Sequence, residues 1–554
     1  LTCLPLCGKM GAMSAGGPRA TPWPTGDFDT DVLIVGSGFG GAVAALRLSE
    51  KGYRVLVLEK GRRWRPEDFP RSNWNLPKSF WLPGLGWYGT WGFHLLSDVM
   101  ILYGVGVGGG SLLYANTHLE PDAVVWDDPH WKGLEDWRGV MPAHYATARR
   151  MLGSVPSPRF DAGDEALRRI AQRRGLEGTF RPTNVGVYFG QPEVEAPDPY
   201  FGGEGPPRVG CHFCGACMVG CPTGAKNTLD RNYLYLAEKK GARILPETQA
   251  ELVEPLPGGG YRVRWRKATD RLFPRRGAFT ARQVVLAAGV LGTSKLLMDS
   301  RARGTLAHLS PRLGEYVRTN SEALLGITSR SRDDLWRGLA IQAEVHVDER
   351  TRMELVRFPK GSDVVLALGT LLTDDGGGVP RWLRWAGQVL RHPLQAARTA
   401  WPVGKAARSQ VLLVMQSVDN HTTLRQTRKL YWPFRRILAS RPPAGQGRVP
   451  SYIPIANEVA RELGQELDAV PQSTLVEVLL NRSVTAHILG GCAIAGNRDE
   501  GVIDASFQVF GYPGLYVMDG SVIGANLGAN PSLTITALAE YACAKLPAVG
   551  EVGR

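Results

Sequence analysis

At 554 residues and 60.3 kDa the chain is too long for one ordinary hydrophobic core, and two domains are expected. An apolar content of 44% with 21% charged residues belongs to a globular chain and excludes a disordered or fibrous one. The net charge of +13 is diffuse and arginine-rich, without a basic run or recognition module, which argues against nucleic acid and leaves an anionic membrane surface as the partner that fits.

Residues 1–28, rich in Gly and Pro, are expected as a disordered arm. The first ten residues lack the apolar core of a signal peptide and begin without methionine, so Met10 or Met13 is taken as the start. No apolar stretch reaches the roughly 18 residues that cross a bilayer. The expectation is a cytoplasmic protein in which disulfides do not form.

The first element in chain order is the most informative. Residues 32–35 are a β-branched apolar run suited to a buried parallel strand. Gly36-Ser-Gly38-Phe39-Gly40-Gly41 then leads into a helical pattern over 42–51, and a second buried strand, Val55–Leu58, ends at Glu59. Gly36 permits the tight turn, Gly38 lets the backbone approach a pyrophosphate, and Gly41 lets helix and strand pack closely. The free N–H groups of the helix start face the phosphates. Glu59 stands where an acid binds the ribose hydroxyls, favouring FAD or NAD over NADP.

Residues 64–91 hold five tryptophans among Pro and Gly and read as a long aromatic loop, a lid in function. The glycines of 104–110, including Gly108 and Gly109, followed by Ser111 and Asn116, suit backbone passing close to a flat ring or a phosphate. Further on, Cys211, Cys214, Cys217 and Cys221 have the C-x2-C-x2-C-x3-C-P spacing of a bacterial ferredoxin. They are candidate ligands of a [4Fe-4S] cluster, with Cys492 or Cys543 able to complete it; reduced or paired structural thiols are the alternative.

A helix is expected over 226–236, and strands from 241, over 260–265 and over 281–288, the last feeding a helix through Gly289. These return the chain to the nucleotide domain. The expected division is 29–121, 226–309 and 486–554 for the cofactor-binding domain, and 122–225 and 310–485 for the substrate domain. Within the latter, Trp382, Trp385, Val389 and Leu390 share one helical face, with Arg381, Arg384 and Arg391 beside it. That pattern suits an interfacial helix, a core-facing one being the alternative. Near the end stand His487-Ile-Leu-Gly-Gly, Asp519-Gly520-Ser and Asn530-Pro531. A neutral imidazole can take the proton of an alcohol, and an amide can orient its hydroxyl.

These blocks, in this order over nearly the whole length, resemble the glucose–methanol–choline oxidoreductases, and within them the cholesterol-oxidase branch. The resemblance implies an α/β architecture: a Rossmann-like FAD-binding domain with a parallel sheet and a discontinuous substrate domain with an antiparallel sheet over the flavin. Gly36 to Gly41 with Glu59, Gly108, Gly109, Ser111, Asp519, Gly520, Asn530 and Pro531 are then cofactor-binding, and His487 and Asn530 catalytic. Tyr114 stands where the sterol oxidases usually have Asn, so Asn116 is taken as its substitute. Glu354 matches the acid that shifts a sterol double bond, with Glu344 its rival. The implied function is oxidation of a hydrophobic alcohol, a 3β-hydroxysterol first, by hydride transfer to flavin N5 with dioxygen as acceptor. Two other readings are a long-chain alcohol oxidase or a dehydrogenase passing electrons through the cluster to a carrier, and a non-catalytic flavin- or lipid-binding protein.

Overall fold

The computed structural model describes residues 28–551 apart from 377, 430 and 431, so the expected N-terminal arm lies, but for Phe28, outside the described residues. The β-branched run forms the strand Thr30–Val35, paired in parallel with Val55–Leu58 on one side and Arg276–Leu286 on the other. Arg243–Leu245 extends the sheet beyond Val55–Leu58. The long strand Arg276–Leu286 has two neighbours on its other edge. Its first half pairs antiparallel with Tyr261–Lys267, and its last three residues pair in parallel with Leu515–Val517. Thr248–Pro255, which carries no clean alternation in the sequence, completes the seven strands.

The helix Phe39–Glu50 covers this sheet and packs on the C-terminal helix Ser532–Lys545. Both are small-residue helices that can approach closely. A Cβ on Gly40 would lie 1.6 Å from the Met518 carbonyl oxygen, so no larger residue fits there without moving a strand end. The helix Trp137–Leu152, in a stretch assigned above to the substrate part, also packs on Ser532–Lys545, and Trp131, Trp137, Met141 and Tyr145 join the core of the nucleotide side.

The second sheet has seven strands, in the order Gly369–Leu371, Ala469–Thr474, Ala323–Ser329, Ser409–Gln416, Thr351–Val356, Ala343–His346 and Arg181–Pro182, each pair antiparallel. Its faces follow from the two-residue strand period. Ala323, Leu325, Ile327, Met353, Leu355, Leu412 and Val414 pack under the helices Ala162–Arg173 and Pro454–Glu466. The alternate residues Leu324, Val356, Val411 and Leu413 form a separate apolar surface, which lines a cavity.

One buried ion pair ties the helix layer to this sheet. Arg357 Nη2 donates to both oxygens of Asp164, at 2.9 and 2.8 Å, and both residues are fully buried. Gln342 Nε2 donates to Asp164 as well, at 2.8 Å.

Two expectations change here. Residues 64–91 are not a free loop: Trp64, Phe69, Phe80 and Trp91 are buried in one cluster, and the segment contains the helix Leu76–Ser79 and the paired strands Trp81–Leu82 and Trp87–Tyr88. Aromatic side chains outweigh the Pro and Gly interruptions by packing between the sheets. In the helix Arg381–Arg391, Trp382 and Leu390 are exposed, as an interfacial helix would have them and a core-facing one would not. Trp385, however, is half-buried and donates to Thr370 Oγ1 at 2.7 Å, and Arg381 is buried on Thr373 O and Ser451 O. The arginine placed at the rim is a structural anchor.

Removing Asp164 strands the Arg357 charge in the interior, a change that typically costs about 3–5 kcal/mol. Asp164→Ala is expected to lower Tm markedly in calorimetry or circular dichroism, whereas an exposed pair such as Arg138 and Asp127 contributes under about 1 kcal/mol.

Candidate active site

A single cavity of about 1160 Å³ runs from the nucleotide sheet to the substrate sheet. At one end its wall is backbone. Gly36, Gly38, Phe39 and Gly40 line it, with Glu59 beyond them. Gly36 has φ +101°, and a Cβ there would lie 2.3 Å from Ala287 O. Gly38 differs: a Cβ would meet nothing within 4 Å and would project into open space. Glu59 is buried. Its Oε2 accepts from Ser37 N at 3.1 Å and Ser37 Oγ at 2.7 Å, and its Oε1 from Gly61 N at 2.8 Å, which holds the carboxylate rigid at the strand end.

The glycine-rich turn closes the next part of the wall. Gly109, Gly110, Leu113 and Tyr114 line the cavity, and the Tyr114 ring meets Phe39 edge-on at 5.5 Å. Gly108 and Ser111 lie one layer behind. Ser111 Oγ donates to Gly108 O at 2.7 Å and accepts from Leu229 N at 3.0 Å, so it fixes the turn. Asn116 is also outside the lining. It adopts a left-handed backbone, φ 67°, and is fully buried with both amide atoms unpartnered. Asp519 lines the cavity, accepting at Oδ2 from Gly289 N at 2.9 Å and Thr293 Oγ1 at 2.6 Å and at Oδ1 from Ser521 N at 2.8 Å. Gly520, Asn530, Pro531 and the start of the helix Ser532–Lys545 complete this wall.

His487, Asn530 and Glu354 come together where the two halves of the cavity meet. His487 follows the strand Ser483–Thr485, lines the cavity, and has its Nδ1 engaged by Glu322, which leaves Nε2 for a ligand. Burial works to lower the imidazole pKa, but the Glu322 carboxylate outweighs it and the net shift is upward. Glu322 is fully buried, and its second oxygen accepts from Ala486 N at 3.0 Å. Asn530 Nδ2 donates to Glu354 Oε2 at 3.1 Å, while Asn530 Oδ1 and Glu354 Oε1 have no partner. Burial, with the Glu344 carboxylate opposite, pushes Glu354 up to about 8. Glu344 is the cross-strand neighbour of Glu354 but is held by Arg181 at 2.8 Å and Arg352 at 3.1 Å. The rival acid is thus neutralised by arginines, and Glu354 faces Asn530.

Glu322 carries no motif in the sequence. The only signal is a run of five polar residues, 318–322, directly before an apolar strand; all five are buried. The run ties both sides of the site, since Asn320 Oδ1 accepts from Gly528 N at 2.9 Å and its Nδ2 donates to Ala529 O at 3.0 Å, immediately before Asn530.

The cysteine run is corrected. Among the described residues no three His, Cys, Asp or Glu side chains are grouped to hold a metal ion. Cys211, Cys217 and Cys221 pack with Val185, Val187, Leu339 and Ala340, and Cys214 is partly exposed beside them. Burial, with the neighbouring thiols, pushes the Cys214 thiol up to about 12 and Cys211 up as well. Lys226 is fully buried beneath the run and donates to Leu112 O, Tyr114 O and Cys217 O at 3.1, 2.8 and 2.8 Å. The run therefore clasps the glycine-rich turn, and the cluster expected from its spacing has no support in this arrangement.

A backbone cradle for a dinucleotide, continuous with an apolar chamber and an imidazole, defines a nucleotide-dependent redox enzyme. Comparison with known proteins agrees. Two models described as GMC oxidoreductase match residues 208–316 and 404–539, and an NAD(P)-binding Rossmann-like model matches 34–64. The chain is 46% identical over 539 residues to a cholesterol oxidase of Mycobacterium tuberculosis, covering 95% of this chain and 92% of the relative. It is 42% identical over 537 residues to a cholesterol oxidase of Acinetobacter baumannii, covering 94% and 95%. A long-chain-alcohol oxidase, FAO4B, of Arabidopsis thaliana is 24% identical, covering 93% and 67%. The solved pyridoxine 4-oxidase from Mesorbium loti superposes with a TM-score of 0.61 at 16% identity, over 93% of this chain and 98% of that one, and shares the fold. The chain belongs to the GMC oxidoreductases, and it is an oxidoreductase acting on the CH–OH group of its donor.

The family implies FAD. The residues fit it: the space in front of Gly38, the carboxylate of Glu59 at the cavity wall and the unpartnered Asn530 Oδ1 are what a flavin dinucleotide would fill and satisfy.

Replacing the carboxylate that grips His487 tests the electrostatics. In Glu322→Gln the burial effect remains without its counterweight, so the His487 pKa is expected to fall below its ordinary value in an NMR titration. The folded pKa of the wild type is raised, so the stability this pair contributes is full below pH ~6.5 and is lost as pH rises through the raised value; the variant lacks that dependence.

Proposed function

We propose that this protein oxidises the hydroxyl of a 3β-hydroxysterol to the ketone, with dioxygen as acceptor, and shifts the adjacent ring double bond. The observation that carries the reading is His487, held at Nδ1 by Glu322 and open at Nε2 to a chamber whose walls are apolar. The substrate named by the two cholesterol oxidase relatives supports the sterol; the more distant long-chain-alcohol oxidase covers the alternative of a fatty alcohol.

The chamber is lined by Trp91, Phe93, Leu102, Met218, Phe358 and Leu366, so a rigid hydrocarbon nucleus fills it and excludes water. FAD, held by the glycine turn and Glu59, would supply the two-electron acceptor for the hydride of the carbinol carbon, with dioxygen as the final oxidant. His487 Nε2 accepts the hydroxyl proton, and Glu322 stabilises the imidazolium that results. Asn530 orients the hydroxyl by donating to its oxygen the Nδ2 hydrogen that Glu354 does not take. Glu354, buried behind Asn530, is the acid–base group for moving a proton between ring carbons, and its raised pKa suits a carboxyl that must both take and return a proton near neutrality.

Delivery of such a substrate favours a lipid surface, because each exposed CH₂ costs about 0.8 kcal/mol in water. No helix among the described residues is long and apolar enough to cross a membrane. The helices Arg381–Arg391 and Pro393–Ala400 instead expose Trp382 (50%), Leu390 (81%), Leu394 (76%) and Trp401 (66%), with Arg391 and Arg398 among them. Leu366 and Leu368, which line the cavity, lie on the turn that packs against Pro393–Ala400. A peripheral, electrostatically assisted contact at the cavity mouth follows.

Kinetics separate the roles. His487→Ala is expected to lower kcat by roughly 10²–10⁴ with flavin content intact, and unchanged turnover would remove the assignment. Glu354→Gln should abolish isomerisation while oxidation to the unconjugated ketone persists. In the wild type, isomerisation should weaken as pH falls below about 8, where Glu354 becomes protonated. For the surface, Trp382→Ser with Leu390→Ser should reduce co-sedimentation with anionic vesicles at low salt. Equal binding by wild type and variant would return these helices to a role in packing alone.

A further inference from the structure

The cavity face of the strand Ala323–Ser329 starts beside Glu322, which holds His487, and passes through Leu324 to Gly326. Four residues at ~3.3 Å each place Gly326 about 13 Å from that anchor. There the lining changes character. Gln472 is in register with Gly326, and its Nε2 donates to Thr328 Oγ1 at 2.5 Å, which leaves its Oε1 for the cavity. A Cβ on Gly369 would stand 2.2 Å from Gln472 Oε1 and 3.1 Å from Lys405 Nζ, so an amide and an ammonium converge on one point. Gly326, Gly369, Lys405 and Gln472 all line the cavity.

Lys405 is 4% exposed, and its Nζ has one hydrogen-bond partner, Thr399 O at 2.7 Å. Two of its three N–H groups therefore have no acceptor. Asp363 is close enough to favour the charged form, but its oxygens accept from Gly404 N at 3.2 Å and Ala406 N at 2.7 Å. Burial pulls the lysine down to about 8, which keeps it an ammonium at neutral pH. An incompletely bonded ammonium facing a chamber otherwise built for hydrocarbon is costly, and a methionine of the same length would pack there without that cost.

We infer that Lys405 recognises a carboxylate at the far end of the substrate, so that the class this site takes best is a hydroxysteroid acid: an alcohol at His487, a four-ring nucleus along the sheet, and a short acidic side chain at Lys405. The inference rests on the proposed steroid-alcohol reading and names the substrate class within it. The geometry also fits the entrance described above. Leu366 and Leu368 place the lysine end nearer the exposed helices, so the substrate enters hydroxyl first and its charged end stays last.

The experiment compares 3β-hydroxycholenoic acid with its methyl ester, which has the same nucleus and no charge. Binding is measured by calorimetry and turnover by steady-state kinetics, on the FAD-loaded enzyme. Wild type is expected to favour the acid by about 10-fold or more in Kd and in kcat/KM, as a charge-assisted hydrogen bond supplies. Lys405→Met should erase that preference while the ester and cholesterol change little, and Lys405→Arg should retain it. Equal affinity for acid and ester in wild type, or the same ratio in Lys405→Met, overturns the inference. An intact binding preference with no oxidation of acid, ester or cholesterol would instead overturn the reaction assigned above and leave the carboxylate site standing.

Discussion

The site depends on one short segment, residues 318–322, which ties two otherwise separate parts of the chain together at the cavity wall. Arg318 pairs through its backbone with Leu489 and donates from Nε to Gly524 O at 2.6 Å. Asn320 grips Gly528 and Ala529, and Glu322 grips His487. Tyr316, Asn320 and Ser321 all adopt left-handed backbone, with φ of 55°, 57° and 45°. Such conformations cost of order 1–3 kcal/mol each and persist only where the surroundings over-determine them. Here the hydrogen bonds to both arms do so. The segment trades local strain for a fixed relation between imidazole and amide.

The nucleotide end of this architecture was legible in the chain because its constraints are local. A β-branched run, glycines that admit no Cβ and an acid at the next strand end must follow one another in sequence, and Gly36, Gly41 and Glu59 stand in those places. His487, Asp519 and Asn530 were legible through a resemblance of whole blocks. Glu322 was not, because its partner lies 165 residues away and nothing in its own neighbours states the contact. The same holds for the strand Thr248–Pro255, whose alternation is broken by a bulge between Ala250 and Leu252.

The errors have a common physical origin. Cys211 to Cys221, the tryptophans of 64–91 and Arg381 were read from chemistry that each side chain can perform in water or at an interface. In the fold most of them are withdrawn from water, while Trp74 and Cys214 keep some exposure. Cys211, Cys217 and Cys221 become small apolar groups over a lysine clasp, the indoles of Trp64 and Trp91 pack with Phe69 and Phe80, and the guanidinium of Arg381 satisfies carbonyls. Burial changes which property of a side chain matters, and spacing alone does not report burial.

Burial also sorts the carboxylates of the substrate sheet. Glu344 and Glu354 are cross-strand neighbours on adjacent strands, equally buried and only one pairing apart. Two arginines pair with the first, and desolvation, with the Glu344 carboxylate opposite, raises the pKa of the second. The strand period then decides the outcome. Glu354 lies on the same face as Val356, so it meets Asn530 and the cavity wall, and a one-residue slip of the strand Thr351–Val356 would turn it under the helix Ala162–Arg173. Arg357, just past that strand, is locked to Asp164 of the same helix, which pins the register. A stability device in the helix layer thus determines which acid meets Asn530 on the opposite face.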